Sequence, residues 1–167
     1  MAISAIRKEN KMALRKILNK RDDILHKKCK PVEKFDEKLH ILLDDMADTL
    51  EKAQGVGLAA PQVGVLRRAV IIDVGDGDGV HELINPVITF RSEETHKVLE
   101  GCLSCPNEWG YTVRPTTVRF KAQDRNGEWY EMEVNDLFAQ AVCHELDHLD
   151  GHIFTEYVVE WAEPDEA

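Results

Sequence analysis

No apolar run in this chain approaches the roughly 20 residues that cross a bilayer, and its first residues lack the apolar centre and cleavage site of a secretory signal. These two absences predict a soluble protein of the cytoplasm. An excess of positive charge is missing as well. Acidic residues number 31 against 21 basic ones, for a net charge of -10, which argues against unaided binding to nucleic acid, where a basic footprint must neutralise phosphates. Cysteine is sparse: Cys29, Cys102, Cys105 and Cys143 are the four. Without a route to an oxidising compartment, reduced thiols are expected. Cys102-Leu103-Ser104-Cys105 has C-x-x-C spacing, but no second pair completes a zinc knuckle and no thioredoxin-like strand and helix surround it. Linkers, internal repeats and low-complexity tracts are also absent. The length suits one domain over residues 1–167, with a basic stretch at 1–11 that reads as an extension before Met12 and an acidic tail at 158–167.

What is present alternates between two periodicities. Leu39, Leu42, Leu43, Met46, Leu50 and Ala53 share one face of a helix over residues 35–53, with Gly55 as its stop. Residues 69–74 read as a buried strand before a Gly/Asp turn at 75–79. Short strands are expected at 81–90, interrupted at Asn85-Pro86, and at 95–99, 112–114 and 118–123. Asn126-Gly127 signals a hairpin turn before a strand at 128–134. Asn135 then caps a helix over 136–150, whose Leu137, Phe138, Ala141, Val142, Leu146 and Leu149 should face the core and which Gly151 ends. The pattern predicts an α+β fold: antiparallel strands packed around a C-terminal helix, with an N-terminal helix before them.

That C-terminal helix contains His144-Glu145-Leu146-Asp147-His148. Two imidazoles at i and i+4 lie on one face and can grip one cation, with the intervening glutamate able to reach its water. Metal-assisted amide hydrolysis uses this apparatus. The downstream chain fails to complete a protease site: Phe154 stands where a third histidine would be required and His152 comes too early. A third ligand must therefore come from upstream, and Cys102 in Glu100-Gly101-Cys102-Leu103-Ser104 offers a thiolate, with Gly101 permitting close backbone approach. Gly55-Val56-Gly57-Leu58-Ala59-Ala60-Pro61-Gln62 matches a relaxed dinucleotide fingerprint, but a helix precedes it where a strand is needed. Its small residues suit a peptide lying close, and the Gln62 amide can donate to an oxyanion.

Taken in order, G-x-G-L-A-A-x-Q, E-G-C-L-S and H-E-x-D-H-L-x-G resemble the three signature motifs of the peptide deformylases, over residues 13–157. The resemblance implies removal of the formyl group from the N-terminal methionine of nascent peptides in a bacterial cytoplasm. It implies one ferrous ion per chain, with Zn2+, Ni2+ or Co2+ as substitutes, held by Cys102, His144 and His148. Glu145 would carry the proton, and Gln62 with the Leu103 backbone N–H would stabilise the oxyanion. The edge at Gly55, Val56 and Gly57 would pair with the peptide. Glu100, Arg114 and Asp147 would steady the ligands, and Trp109 and Tyr111 would rim the substrate path where relatives often carry arginine. Many relatives dock on the ribosome through a longer basic C-terminal helix; the acidic end here does not suit that mode. Two other readings compete: a general zinc peptidase, and a non-catalytic metal module closed by Cys105 as fourth ligand.

Overall fold

The structure, a computed structural model, describes residues 13–165; the extension at 1–11 falls outside them. Among the described residues two α-helices and eight strands form, with short 3-10 turns between. Helix α1, Glu37–Ala53, starts where Asp36 accepts from the Leu39 N–H at 3.1 Å, a cap generally worth about 1 kcal/mol. It ends at Ala53, as the apolar stripe predicts, but Gly55 is not its cap. Gln54 itself takes the left-handed conformation, at φ 56°.

Strands β1 (Gly57–Ala59), β2 (Ala69–Ile72), β3 (His81–Arg91), β6 (Thr117–Gln123) and β7 (Trp129–Asn135) make one antiparallel sheet in the order β1-β2-β3-β6-β7. The fully buried run of β2 reflects cover on both faces. Ala69 and Ile71 pack with Leu39, Leu43, Met46 and Leu50 of α1, whereas Val70 and Ile72 pack with Phe138, Val142, Leu146 and Leu149 of the second helix. The expected break at Asn85-Pro86 is a bulge inside one continuous strand, with Asn85 at φ 50°. Its amide is occupied: Oδ1 accepts from Val32 N at 2.8 Å and Nδ2 donates to Val32 O at 2.9 Å.

Strands β4 (Thr95–Cys102), β5 (Cys105–Pro115) and β8 (Glu160–Trp161) form the second sheet, in the order β4-β5-β8. The acidic tail thus supplies an edge strand, pairing Trp161 with Gly110 and Glu160 with Tyr111. Helix α2, Asp136–Leu149, lies against the large sheet and carries the H-E-x-x-H segment. Asn135 precedes it in an extended conformation but does not cap it; its Oδ1 accepts from Thr117 Oγ1 instead. Leu137, expected in the core, is 48% exposed. Gly151 follows the helix at φ 81°, tight against the His26 backbone.

Candidate metal centre

Helical spacing puts His144 and His148 on one face of α2, and the two-residue turn between β4 and β5 brings Cys102 to them. One donor atom from each of the three lies within 4.8 Å of the others. Cys102 Sγ is 3.4 Å from His148 Nε2. His144 turns its Nδ1 to Glu100 Oε1 at 2.6 Å, which leaves Nε2 for another partner. Both rings are buried. Burial, then the neighbouring His144, lowers the His148 pKa well below its ordinary value, so this ring is held neutral, as a ligand must be. The buried His148 Nδ1 has no hydrogen-bond partner among the described residues. A thiolate and two imidazoles suit zinc or ferrous iron, so the donor set fits a single divalent cation. Cys105 is not among the mutually close donors, which disfavours a closed four-ligand module.

Around these three, Arg114 grips Glu100 twice, Nε to Oε2 at 3.0 Å and Nη2 to Oε1 at 2.7 Å, and reaches Asp147 with Nη1 at 3.0 Å. The Thr112 hydroxyl donates to Glu100 as well. Glu100 and Arg114 are 3% and 7% exposed, so this is a buried relay and no surface pair. Burial alone would raise the Glu100 pKa, but the bonds from His144 and Arg114 outweigh it and lower it to about 2. Glu145 has no such support. Its Oε1 is 3.9 Å from His144 Nε2, its Oε2 has no partner among the described residues, and burial raises its pKa to about 7.

Gln62 is 1% exposed. Its Oε1 accepts from Ala59 N at 2.9 Å, which turns Nε2 towards Ser104 Oγ (3.1 Å) and Cys102 Sγ (3.5 Å). Cys102 and His144 open on a cleft of about 460 Å3, walled by Gly55, Val56 and Gly57 on one side, Leu103 and Trp109 on another, and Leu137, Gln140 and Ala141 of α2. Within the large sheet β1 is an edge strand, and a Cβ on Gly57 would come within 2.8 Å of Glu145 Oε1. Gly55 is less free, because its N–H bonds Leu50 O at 3.2 Å. The close approach at Gly101 serves the Trp109 ring, 2.6 Å from where a Cβ would sit. Tyr111 is not in the cleft wall; it pairs with Glu160 and lies under Lys97. Sequence reasoning missed Ser104, and also Leu137, Gln140 and Ala141. The last three share the face of His144 at helical spacing, a signal that was legible.

A family model described as polypeptide deformylase matches residues 14–163. The chain belongs to the polypeptide deformylase family. It is 54% identical over 155 residues to the peptide deformylase of Caldicellulosiruptor bescii, covering 93% of this chain and 92% of that one. Peptide deformylase 1 of Clostridium acetobutylicum is 50% identical, with 89% and 97% covered. Among solved structures, the peptide deformylase from Thermotoga maritima superposes with a TM-score of 0.84 at 38% identity, covering 87% of this chain and 97% of that one. The peptide deformylase from Synechococcus elongatus, solved in complex with actinonin, gives 0.85 at 33% identity, with 95% and 85% covered. The deformylase fold, with its antiparallel sheets and C-terminal helix, is therefore common to all three structures.

Proposed function

We propose that this chain, an enzyme of the polypeptide deformylase family that removes the formyl group from nascent polypeptides, does so as one catalytic domain with a single divalent cation on Cys102, His144 and His148. Ferrous iron is the cation we assign, with Zn2+, Ni2+ or Co2+ able to replace it. The observation that carries this reading is the convergence of the three donors beside a buried glutamate whose second oxygen has no partner. When bound, the cation supplies Lewis-acid chemistry, lowering the pKa of a water to about 7 and polarising the formyl carbonyl.

The chain's own residues do the rest. Glu145, with its pKa near 7, takes the proton of the attacking water and delivers it to the methionine nitrogen as the C–N bond breaks and formate leaves. The amide of Gln62, oriented by Ala59, and the backbone N–H of Leu103 donate to the oxygen on which negative charge develops. Losing one such donor typically costs roughly 3 to 4 kcal/mol of transition-state stabilisation. The open edge of β1 hydrogen-bonds the extended peptide as an added strand. Leu137, Gln140 and Ala141 line the wall available to the methionine side chain, and Trp109 borders the exit of the following residues. Glu100, Arg114 and Asp147 hold His144 in place. Among the described residues no helix is long and apolar enough to cross a membrane, and we assign the enzyme to the cytoplasm, where a nascent-chain substrate is made.

The test is turnover of formyl-methionyl and unformylated peptides by anaerobically prepared protein, with cation analysis of the same samples. Formylated peptide alone should be cleaved. Glu145→Ala should lose at least roughly a hundredfold in kcat with cation content unchanged, whereas Cys102→Ala should lose the cation. Cleavage of unformylated peptides would favour the general peptidase, and a fully active Glu145→Ala would remove the assigned proton carrier.

A further inference from the structure

The turn that presents Cys102 also holds a thiol with no part in the reaction above. Cys102 closes β4, Cys105 opens β5, and the two are facing partners across Leu103-Ser104. Facing residues of an antiparallel pair project their side chains to the same side of the sheet. Their Cα atoms are generally about 4.5 to 5.5 Å apart, inside the window of roughly 4.4 to 6.8 Å that a disulfide spans. Both pack with Leu25, Ile153 and Phe154, while Cys29 and Cys143 belong to the core under the large sheet. No third thiol shares the cluster. Both line the open cleft, but Cys105 is 2% exposed while Cys102 is only half-buried, so a small oxidant arriving through the substrate path meets the Cys102 sulfur first.

We propose that Cys102 and Cys105 form a redox pair that a hydroperoxide closes into a disulfide. In the first step the Cys102 thiol reduces hydrogen peroxide, giving a sulfenic acid and one water. The Cys105 sulfur then attacks the sulfenic sulfur, forming the S–S bond and releasing a second water. Two thiols and one peroxide thus become one disulfide and two waters, and a dithiol reductant restores the pair. Closure removes the thiolate from the three-donor set, a consequence that rests on the ligand role given to Cys102 above. Cys105 also diverts the sulfenic acid from further oxidation to the sulfinic and sulfonic states, which simple reductants do not reverse. The C-x-x-C spacing is therefore a redox motif after all, set in a hairpin.

The experiment uses the full chain loaded with zinc, which has no redox chemistry of its own. It is treated stepwise with hydrogen peroxide, alkylated and digested with trypsin. Residues 98–119 contain both cysteines and no internal cleavage site apart from a resistant Arg-Pro bond. In the wild type that peptide should appear two hydrogens lighter and recover with dithiothreitol, with release of zinc in step with the mass change. In Cys105→Ala, and independently in Cys105→Val, it should instead gain oxygen atoms on Cys102 that dithiothreitol leaves in place. Oxygen addition at Cys102 in the wild type, with no lighter peptide, would overturn the proposal; so would pairing of Cys102 with Cys29 or Cys143. Disulfide formation with zinc fully retained would uphold the pair and sink the ligand assignment of Cys102, so the two failures are distinct.

Discussion

Two glutamates approach the same imidazole, at 2.6 Å and 3.9 Å, and are driven in opposite directions. Both are buried, which disfavours a carboxylate. Glu100 is compensated by His144, Arg114 and Thr112 and stays ionised; for Glu145 burial, with Glu100 and Asp147 adding to it, outweighs His144 and its pKa rises to about 7. One is thereby suited to hold a ring still and the other to exchange protons near neutrality. For Glu100 the folded pKa of about 2 lies below the ordinary 4.5, so its contribution to stability is present above pH 4.5 and drains away as the pH falls towards 2. Urea midpoints of the cation-free protein should fall across that window, and Glu100→Gln should lack that part of the slope. An equal slope in the variant would assign the acid lability elsewhere. These roles were only partly legible in advance. Glu100 and Asp147 lie in the motifs and Arg114 came only with the family resemblance, but the sequence carries no sign that Thr112 joins them, because that contact crosses between strands.

Element by element, legibility followed local periodicity. The apolar stripes of α1 and α2 and the run in β2 announced themselves, since 3.6-residue and continuous patterns are written into neighbouring positions. Strand β5 was foreseen only at 112–114, because Pro106, Asn107 at φ 65° and Gly110 interrupt its first half, where a three-residue excursion breaks the register with β4. The two residues of β8 carry no pattern at all. Strand β1 is short but its position matters, because it lays Gly57 directly over Glu145. Gly57→Ala should therefore displace the carboxylate without disturbing the backbone, whose φ is not in the left-handed region. Displacements near an ångström commonly cost on the order of a hundredfold, so kcat should fall by about that factor while thermal stability and cation content stay near wild type. A drop in melting temperature of the same variant, with kcat preserved, would contradict this placement.

For the whole molecule, the centre is braced by bonds made among protein groups alone: Glu100 to His144, Arg114 to Glu100 and Asp147, Gln62 to Ala59 and Ser104. Chelation should accordingly leave the far-UV circular dichroism unchanged and lower the melting temperature. Binding at a thousand times Kd contributes about 4 kcal/mol, and adding back Zn2+ or Fe2+ should restore the transition. Collapse of the secondary structure on chelation would mean that the cation organises the fold. The sequence by itself determined which side chains could act, since the spacing of His144, Glu145 and His148 along one helix is a local matter of 3.6 residues per turn. Only the tertiary structure decided that Cys102 joins them, that Cys105 faces it, and that Leu137 borders the cleft. Those placements depend on how a hairpin, a sheet edge and a helix pack together, and no stretch of neighbouring residues encodes that.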